Sequence, residues 1–464
     1  MKKIFLLFAG CLLLWAAGCR SYEGDFVEKS EEELAAMEKL NDQAHLAFMS
    51  GNYIAAETTL RSLTTENTVS RPLYQMELLS VLLMSGKNEE AHKLMLSIYR
   101  DIEMLFDPQL EEKAVSMWHG EVNKVFKGDA YERSTFYAFM ALSFIREGNW
   151  EDALRCVKNG LLADADSNRD EALDDYGMLF YIGYIAALKM DDPDTADDYM
   201  KGLLRALGNR REVTDAEKER LRAYFTAGLE NKKPNVILVL WTGTPPSVVC
   251  GGSYNEKRAI IRGSNPFDLV SVSVGSGKDH FAGGFLGDVE YQATSRGGRL
   301  MDNVLSDKAT AKKAMEVSAN ILYIAAPVCI SLAGQFSDPV VGLSLLGAGL
   351  GCYLVGGTVH LVGYMINPAA DGRYWRNLPG QFSIVPLTLE PGEYNVVCKG
   401  YKYSDCTARQ YTTIKVAEES KGMQVIYMPM MTYGSNSAWF SRFKAAQDYI
   451  LPLANANRMA KELK

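Results

Sequence analysis

The chain has 464 residues, with 57 Asp or Glu against 49 Lys or Arg, for a formal charge of −8. That length accommodates two or three domains. The acidic balance excludes a nucleic-acid partner, whose binding requires clustered Lys and Arg.

Residues 1–18 begin with Lys2 and Lys3, continue through an apolar core from Ile4 to Trp15, and end on Ala16, Ala17 and Gly18 before Cys19. This is the layout of a cleaved secretory signal. The ending resembles a bacterial lipobox, in which Cys19 would accept the lipid and become the mature N-terminus; an ordinary signal with an incidental cysteine is the alternative. Arg20, rather than an aspartate, follows the cysteine, which in the sorting logic of such lipoproteins favours the outer membrane over the inner. Loss of residues 1–18 removes Lys2 and Lys3 and moves the formal charge from −8 to −10. The remaining cysteines are Cys156, Cys250, Cys329, Cys352, Cys398 and Cys406. None falls into a CxxC or Cys/His ligand spacing, so neither a metal nor another cofactor is expected. In an oxidising compartment Cys398 and Cys406 are near enough in sequence to pair as a disulfide, or they stay as two thiols.

Residues 19–231 read as a helical repeat domain, with the repeats beginning near residue 28. The clearest unit combines Tyr137, Ala141 and Phe144 with Gly148-Asn149-Trp150, Ala153 and Val157. It resembles a tetratricopeptide repeat: aromatics on a first helix, a Gly-x-aromatic turn, then a small residue where two helices touch. Further copies centre on Gly51 with Ala56, Gly86 with Ala91, and Asp191 with Ala196. The anchors at 56, 91, 153 and 196 are 35, 62 and 43 residues apart. The first spacing matches the repeat period of about 34, and the others imply inserted or degenerate helices. Such repeats usually offer a concave face to a protein partner, or they prop up the rest of the chain.

Lys233-Pro234 ends the helices. Residues 232–316 form a β-rich α+β segment: an apolar, β-branched run through Trp241, a turn at Thr242–Pro246, two more strands around 259–262 and 268–274, and a helix emerging by Leu300. A glycine-rich stretch at 272–279 lacks the first glycine and the Ser/Thr of a phosphate loop and is rejected as one.

Residues 317–370 carry a single formal charge, Asp338. They comprise two apolar runs, 317–334 and 340–366, the second with seven glycines including Gly347 and Gly351. Three readings compete: a membrane hairpin, two helices buried in the protein core, or a seam between copies. The polar tip at Asp338-Pro339 and the basic base at Lys312, Lys313, Arg373 and Arg376 favour the bilayer. The Gly347-x-x-x-Gly351 pair is expected to let helices approach closely.

The last folded region, residues 371–433, reads as a small β-sandwich-like module, followed by a C-terminal helix or tail at 434–464. It opens on Asp371, Arg373, Trp375, Leu378 and Pro379 and contains a Pro391-Gly392-x-Tyr394 turn. Pro391 presets the turn and Gly392 supplies positive φ, so this motif has a mechanical reason without chemistry. The order of lipobox, repeats, β segment and Ala-Asp-x-Arg-x-Trp-x-x-Leu-Pro is similar to a family of bacterial tetratricopeptide-repeat-like envelope lipoproteins. The Pro-Gly-x-Tyr turn separately resembles a small β-sandwich module common in envelope proteins. The family resemblance implies an envelope location and no enzymatic activity, and the Asp371–Pro379 motif reads as a packed latch.

The expectation is thus an α+β multidomain protein, anchored to lipid through Cys19 and residues 317–366, which binds an envelope protein through residues 28–231 as a scaffold or assembly factor. The alternatives are an oligomeric secretion or pore component and a cell-wall enzyme or its activator. No nucleophile motif, paired carboxylates or dinucleotide fingerprint supports the enzyme.

Overall fold

The computed structural model describes most of residues 26–430; the longer stretches outside the description are 1–25, 106–123, 166–174, most of 210–233, and 431–464 apart from Phe443 and Lys444. Cys19, its signal segment and nearly all of the expected tail therefore lie outside the described residues.

The chain folds as an α+β protein. Among the described residues eight helices come first: α1 (Glu31–Met49), α2 (Tyr53–Leu63), α3 (Arg71–Met84), α4 (Asn88–Leu105), α5 (Ala130–Glu147), α6 (Trp150–Ala165), α7 (Gly177–Lys189) and α8 (Pro193–Asn209). They form four pairs, each joined by the same turn. Gly51, Gly86, Gly148 and Asp191 occupy the left-handed region, with φ of 77°, 71°, 74° and 57°. In each turn the next residue's N–H bonds the carbonyl five positions back: Asn52 to Ala47, Lys87 to Leu82, Asn149 to Phe144 and Asp192 to Ala187. This bond satisfies a helix-end carbonyl and fixes the reversal. The small residues Ala56, Ala91, Ala153 and Ala196 are buried one turn into each second helix, where a larger side chain would hold the pair apart.

Helices α3, α5 and α7 differ from their partners. α3 is buried from Pro72 to Met84, and α7 from Gly177 to Ala187. A helix apolar all round must be covered on both sides. The outer helices cover one side, and a β-sheet covers the other.

That sheet is built from β1 (Val236–Thr242), β6 (Gly287–Asp288), β7 (Gln381–Leu387) and β10 (Gln424–Met430) in the order β10-β1-β7-β6, with β1 parallel to β10 and antiparallel to β7. A second sheet has the order β11-β9-β8-β4-β5, from β4 (Leu269–Val274), β5 (Asp279–Ala282), β8 (Gly392–Lys402), β9 (Asp405–Val416) and the two-residue β11 (Phe443–Lys444). A separate ribbon pairs β2 (Ser247–Gly251) with β3 (Lys257–Ile261). Alternation along β1 divides its side chains between two cores. Ile237, Val239 and Trp241 enter the helical core. Val236, Leu238 and Leu240 enter a second core shared with Val270, Val272, Val396, Ile414 and Met428. The β-branched run is buried throughout because both faces are covered.

The pairing revises the expected domain division. β1 and β4 come from residues 232–316, yet β1 lies between β7 and β10, and β4 pairs with β8. Apart from the β2–β3 ribbon, the strands described between residues 236 and 288 and those between 381 and 430 thus share their sheets. Cys398 and Cys406 are free thiols: on adjacent strands they stand opposite Gln410 and Tyr401 rather than each other. Burial pushes the Cys398 thiol up to about 12. Gly392 has φ of +154° at the start of β8, and the Tyr394 hydroxyl closes its turn by donating to the Glu390 carbonyl at 2.9 Å.

Short α9 (Val289–Ser295) leads into α10 (Leu300–Ala333) and α11 (Pro339–Met365), which form a hairpin.

Candidate functional site

Three features meet at one place: the α10–α11 hairpin, the β2–β3 ribbon at its base, and the Asp371–Pro379 motif that follows it. Thirty-four residues make α10 about 51 Å long, and twenty-seven make α11 about 40 Å. Pro327 lies within α10 without ending it.

The hairpin packs with small residues inside and large ones outside. Ala319 and Ala326 are fully buried at its seam, opposite the buried Gly349 and Gly356. A Cβ added to Gly349 would lie 2.6 Å from Ile330 Cγ1, and one added to Gly356 would lie 3.3 Å from Leu322 Cβ. Tyr323 and Tyr353 meet across the arms at 6.2 Å between ring centroids. By contrast, fourteen of the twenty-four large apolar side chains exposed among the described residues belong to this hairpin, including Ile324 at 69%, Leu343 at 78% and Leu354 at 74%. Water would penalise that arrangement, since large apolar side chains normally occupy the seam of a soluble hairpin. Reading the segment as two helices buried in the protein core is therefore corrected: only 11% of either apolar window is buried. Both helices are long and apolar enough to cross a membrane. The Gly347–Gly351 pair does not make the close approach: an added Cβ at either position has nothing within 4 Å. The exposed hydroxyls Ser318, Ser344 and Thr358 donate to carbonyls of their own helices, those of Ala314, Val340 and Val355 at 2.7–2.8 Å. Such back-bonding lets a hydroxyl sit on an apolar helix at reduced cost.

The ribbon holds the base of both arms. On the α10 side the Tyr254 hydroxyl donates to Glu316 Oε2 at 2.5 Å, and Lys312 lies 5.1 Å above the Tyr254 ring. On the α11 side Ala370 N donates to the Asn255 carbonyl at 3.0 Å, and Arg258 Nε to the Asp371 carbonyl at 3.1 Å. Arg258 also pairs with Asp129 Oδ2 at 2.5 Å, both side chains more than nine-tenths buried. Asp129 caps the N-terminus of α5, so the ribbon ties the hairpin to the helical domain.

The motif then runs into the helical domain. Arg373 pairs with Asp371 at 2.8 Å and donates to the Lys124 carbonyl at 2.8 Å and Ser70 Oγ at 3.0 Å. Trp375 is fully buried. Its indole N–H donates to Ser80 Oγ at 3.0 Å, and its ring meets Phe139 edge-on at 6.2 Å. The backbone N–H of Trp375 donates to Glu132 Oε1, and those of Arg376 and Asn377 donate to the two oxygens of Glu77, all within 2.5–2.8 Å. The Arg376 guanidinium reaches Glu38 and Asp42 on α1. Leu378 and Pro379 are buried just before β7.

Glu77 and Glu132 escaped the sequence reading. Burial lifts Glu77 to about 8 against its two N–H donors, and burial with the neighbouring Asp129 lifts Glu132 to about 7. Glu77 could have been found as the one acid in the apolar interior of α3, whereas Glu132, beside Arg133 near the start of α5, carries no such signal. The site holds a backbone segment: two buried carboxylates fasten the N–H groups of three successive residues.

Comparison with family models, with characterised proteins and with solved structures returns no match to this chain.

Proposed function

We propose that this chain is a lipid-anchored scaffold or assembly factor of the bacterial cell envelope, with its α10–α11 hairpin inserted in the bilayer and its folded body held at the membrane surface. On this reading the helix pairs are tetratricopeptide-like repeats closed on a β-sandwich, and Cys19 carries the lipid. The observation that supports it most is the packing of the hairpin, in which Ala319, Ala326, Gly349 and Gly356 face inward and most of the large Leu, Ile and Val side chains face outward. Lipid accepts that surface. The outer membrane remains the favoured location, on the strength of Arg20.

The partner surface shifts from the expected concave face. The chain's own sheet covers the inner side of α3, α5 and α7, so an envelope protein would dock on the outer side of the repeats. Leu46, Ile54 and Leu162, exposed at 67%, 82% and 72% there, suit such a contact.

Alkaline carbonate extraction of Cys19→Ser tests the membrane reading. The variant should stay partly with the membrane, and deleting residues 317–366 across a short Gly/Ser bridge should release it. A freely soluble Cys19→Ser protein with the hairpin intact would refute the reading. The second reading, an oligomeric secretion or pore component, is favoured by Gly347 and Gly351, which face away from the seam. It requires a defined multimer after mild detergent extraction.

A further inference from the structure

The β2–β3 ribbon belongs to neither large sheet, and its two faces are unlike. The inner face carries Ile260, packed on the helical core, and Arg258, held by Asp129. The outer face carries Val249 opposite Ala259, with Ile261 and Lys257 alongside. Val249 and Ile261 are 42% and 50% exposed. Exposed apolar side chains next to lysines are the composition of a surface that lies in a membrane interface.

Position and charge agree with that composition. Tyr254, in the ribbon turn, contacts Lys312 and Glu316, and Glu316 is the last charged residue before the apolar arm begins. The ribbon therefore stands at the level where the hairpin changes from polar to apolar. The acids of this corner are engaged by the ribbon turn: Glu316 accepts from the Tyr254 hydroxyl, and Glu256 from the Tyr254 backbone N–H at 2.9 Å. The bases face out. Lys257 and Lys313 are exposed and form no ion pair among the described residues, and Arg262 is 83% exposed with only a 3.5 Å contact to Glu290.

We infer that the outer face of the β2–β3 ribbon, together with the base of α10, is a platform that rests on the anionic lipid headgroups around the inserted hairpin. The inference depends on the hairpin being in the bilayer. The apolar pair Val249 and Ile261 enters the interface, while Lys257, Arg262 and Lys313 meet lipid phosphates. The bonds from Tyr254, Asn255 and Arg258 then transmit that seating to both arms and to α5, setting the body's orientation over the membrane.

The full chain reconstituted into vesicles of phosphatidylcholine, with or without phosphatidylglycerol, tests this by two readouts on one sample. Protease protection of residues 317–361 reports the hairpin; amide exchange of residues 247–262 reports the ribbon. The hairpin should be protected in both lipids, and the ribbon should exchange more slowly in the anionic vesicles, by about fivefold for each basic residue held at the surface. Lys257→Glu with Arg262→Glu should abolish the ribbon's lipid dependence and leave hairpin protection unchanged. A protected hairpin with a ribbon indifferent to phosphatidylglycerol overturns the platform alone. An unprotected hairpin overturns the insertion reading and the platform with it. Slowing that instead tracks protein concentration in detergent assigns the face to a second copy and also overturns the proposal.

Discussion

Alanine at Gly349 and alanine at Gly347 should affect the hairpin in opposite directions. At Gly349 the new Cβ lies 2.6 Å from Ile330 Cγ1 and 2.9 Å from the Ala326 backbone oxygen. Comfortable contacts between such atoms fall at about 3.5–4.0 Å. The arms must part or Ile330 must leave its rotamer, and overpacking of this kind costs about 1–3 kcal/mol. Alanine also gains helix propensity over glycine, about 1 kcal/mol, which partly masks the clash. Gly347 supplies the correction, because an added Cβ there meets nothing within 4 Å. Both substitutions carry the same propensity gain, so subtracting one from the other leaves the overpacking cost. Amide exchange across residues 317–361 in mild detergent reads the opening of the hairpin directly. Gly349→Ala should exchange about 5- to 150-fold faster than Gly347→Ala, the ratio equivalent to about 1–3 kcal/mol. Equal exchange would refute the seam. Faster exchange in Gly347→Ala would move the close contact to the opposite face, between copies of the chain.

Three further outcomes concern the body. Trp375→Ala removes a fully buried ring and leaves Ser80 without its indole donor; urea unfolding should show a loss of about 3–5 kcal/mol, and a loss under 1 kcal/mol would show that the latch is not part of the core. Gly422→Ala drives a Cβ into the Ile145 carbonyl oxygen, where the β9–β10 connection crosses the α5–α6 turn; backbone cannot rotate aside, so the cost should reach the upper part of the ~1–3 kcal/mol overpacking range, and an unchanged urea midpoint would contradict that contact. Glu77, raised from 4.5 to about 8 by burial, keeps a proton in the folded state that the unfolded chain has released, so its contribution is fullest below about pH 4.5 and is lost as pH rises through about 8. The stability of the native chain relative to Glu77→Gln should therefore fall between about pH 5 and pH 8, and a difference that holds constant or rises over that range would refute the assignment.

Much of the helical domain was legible because its signals are local. A glycine at the end of one helix and an alanine a few residues into the next specify a turn and a close contact, and Gly51/Ala56, Gly86/Ala91 and Gly148/Ala153 do so with no help from distant residues. The same logic marked the Pro391-Gly392 turn and the two apolar arms, whose composition alone admits a bilayer. What covers those elements is another matter. Nothing near β1 in sequence indicates that it lies between β7 and β10, strands more than a hundred residues later, and so the boundary between two β regions was drawn where none exists.

The sequence by itself determined the periodicities, the turns and the apolar content of residues 317–366, since each depends on neighbours a few positions away. Only the tertiary structure decided which glycine meets which arm. Gly347 and Gly349 are two residues apart on one helix and so face different directions, and their roles follow from how α11 is rotated against α10. It likewise decided that Glu77 and Glu132 face the backbone of Trp375–Asn377, and that the chain's own sheet packs against the inner helices. Those outcomes depend on long-range packing, in which a side chain's partner is set by the docking of whole elements rather than by its place in the chain.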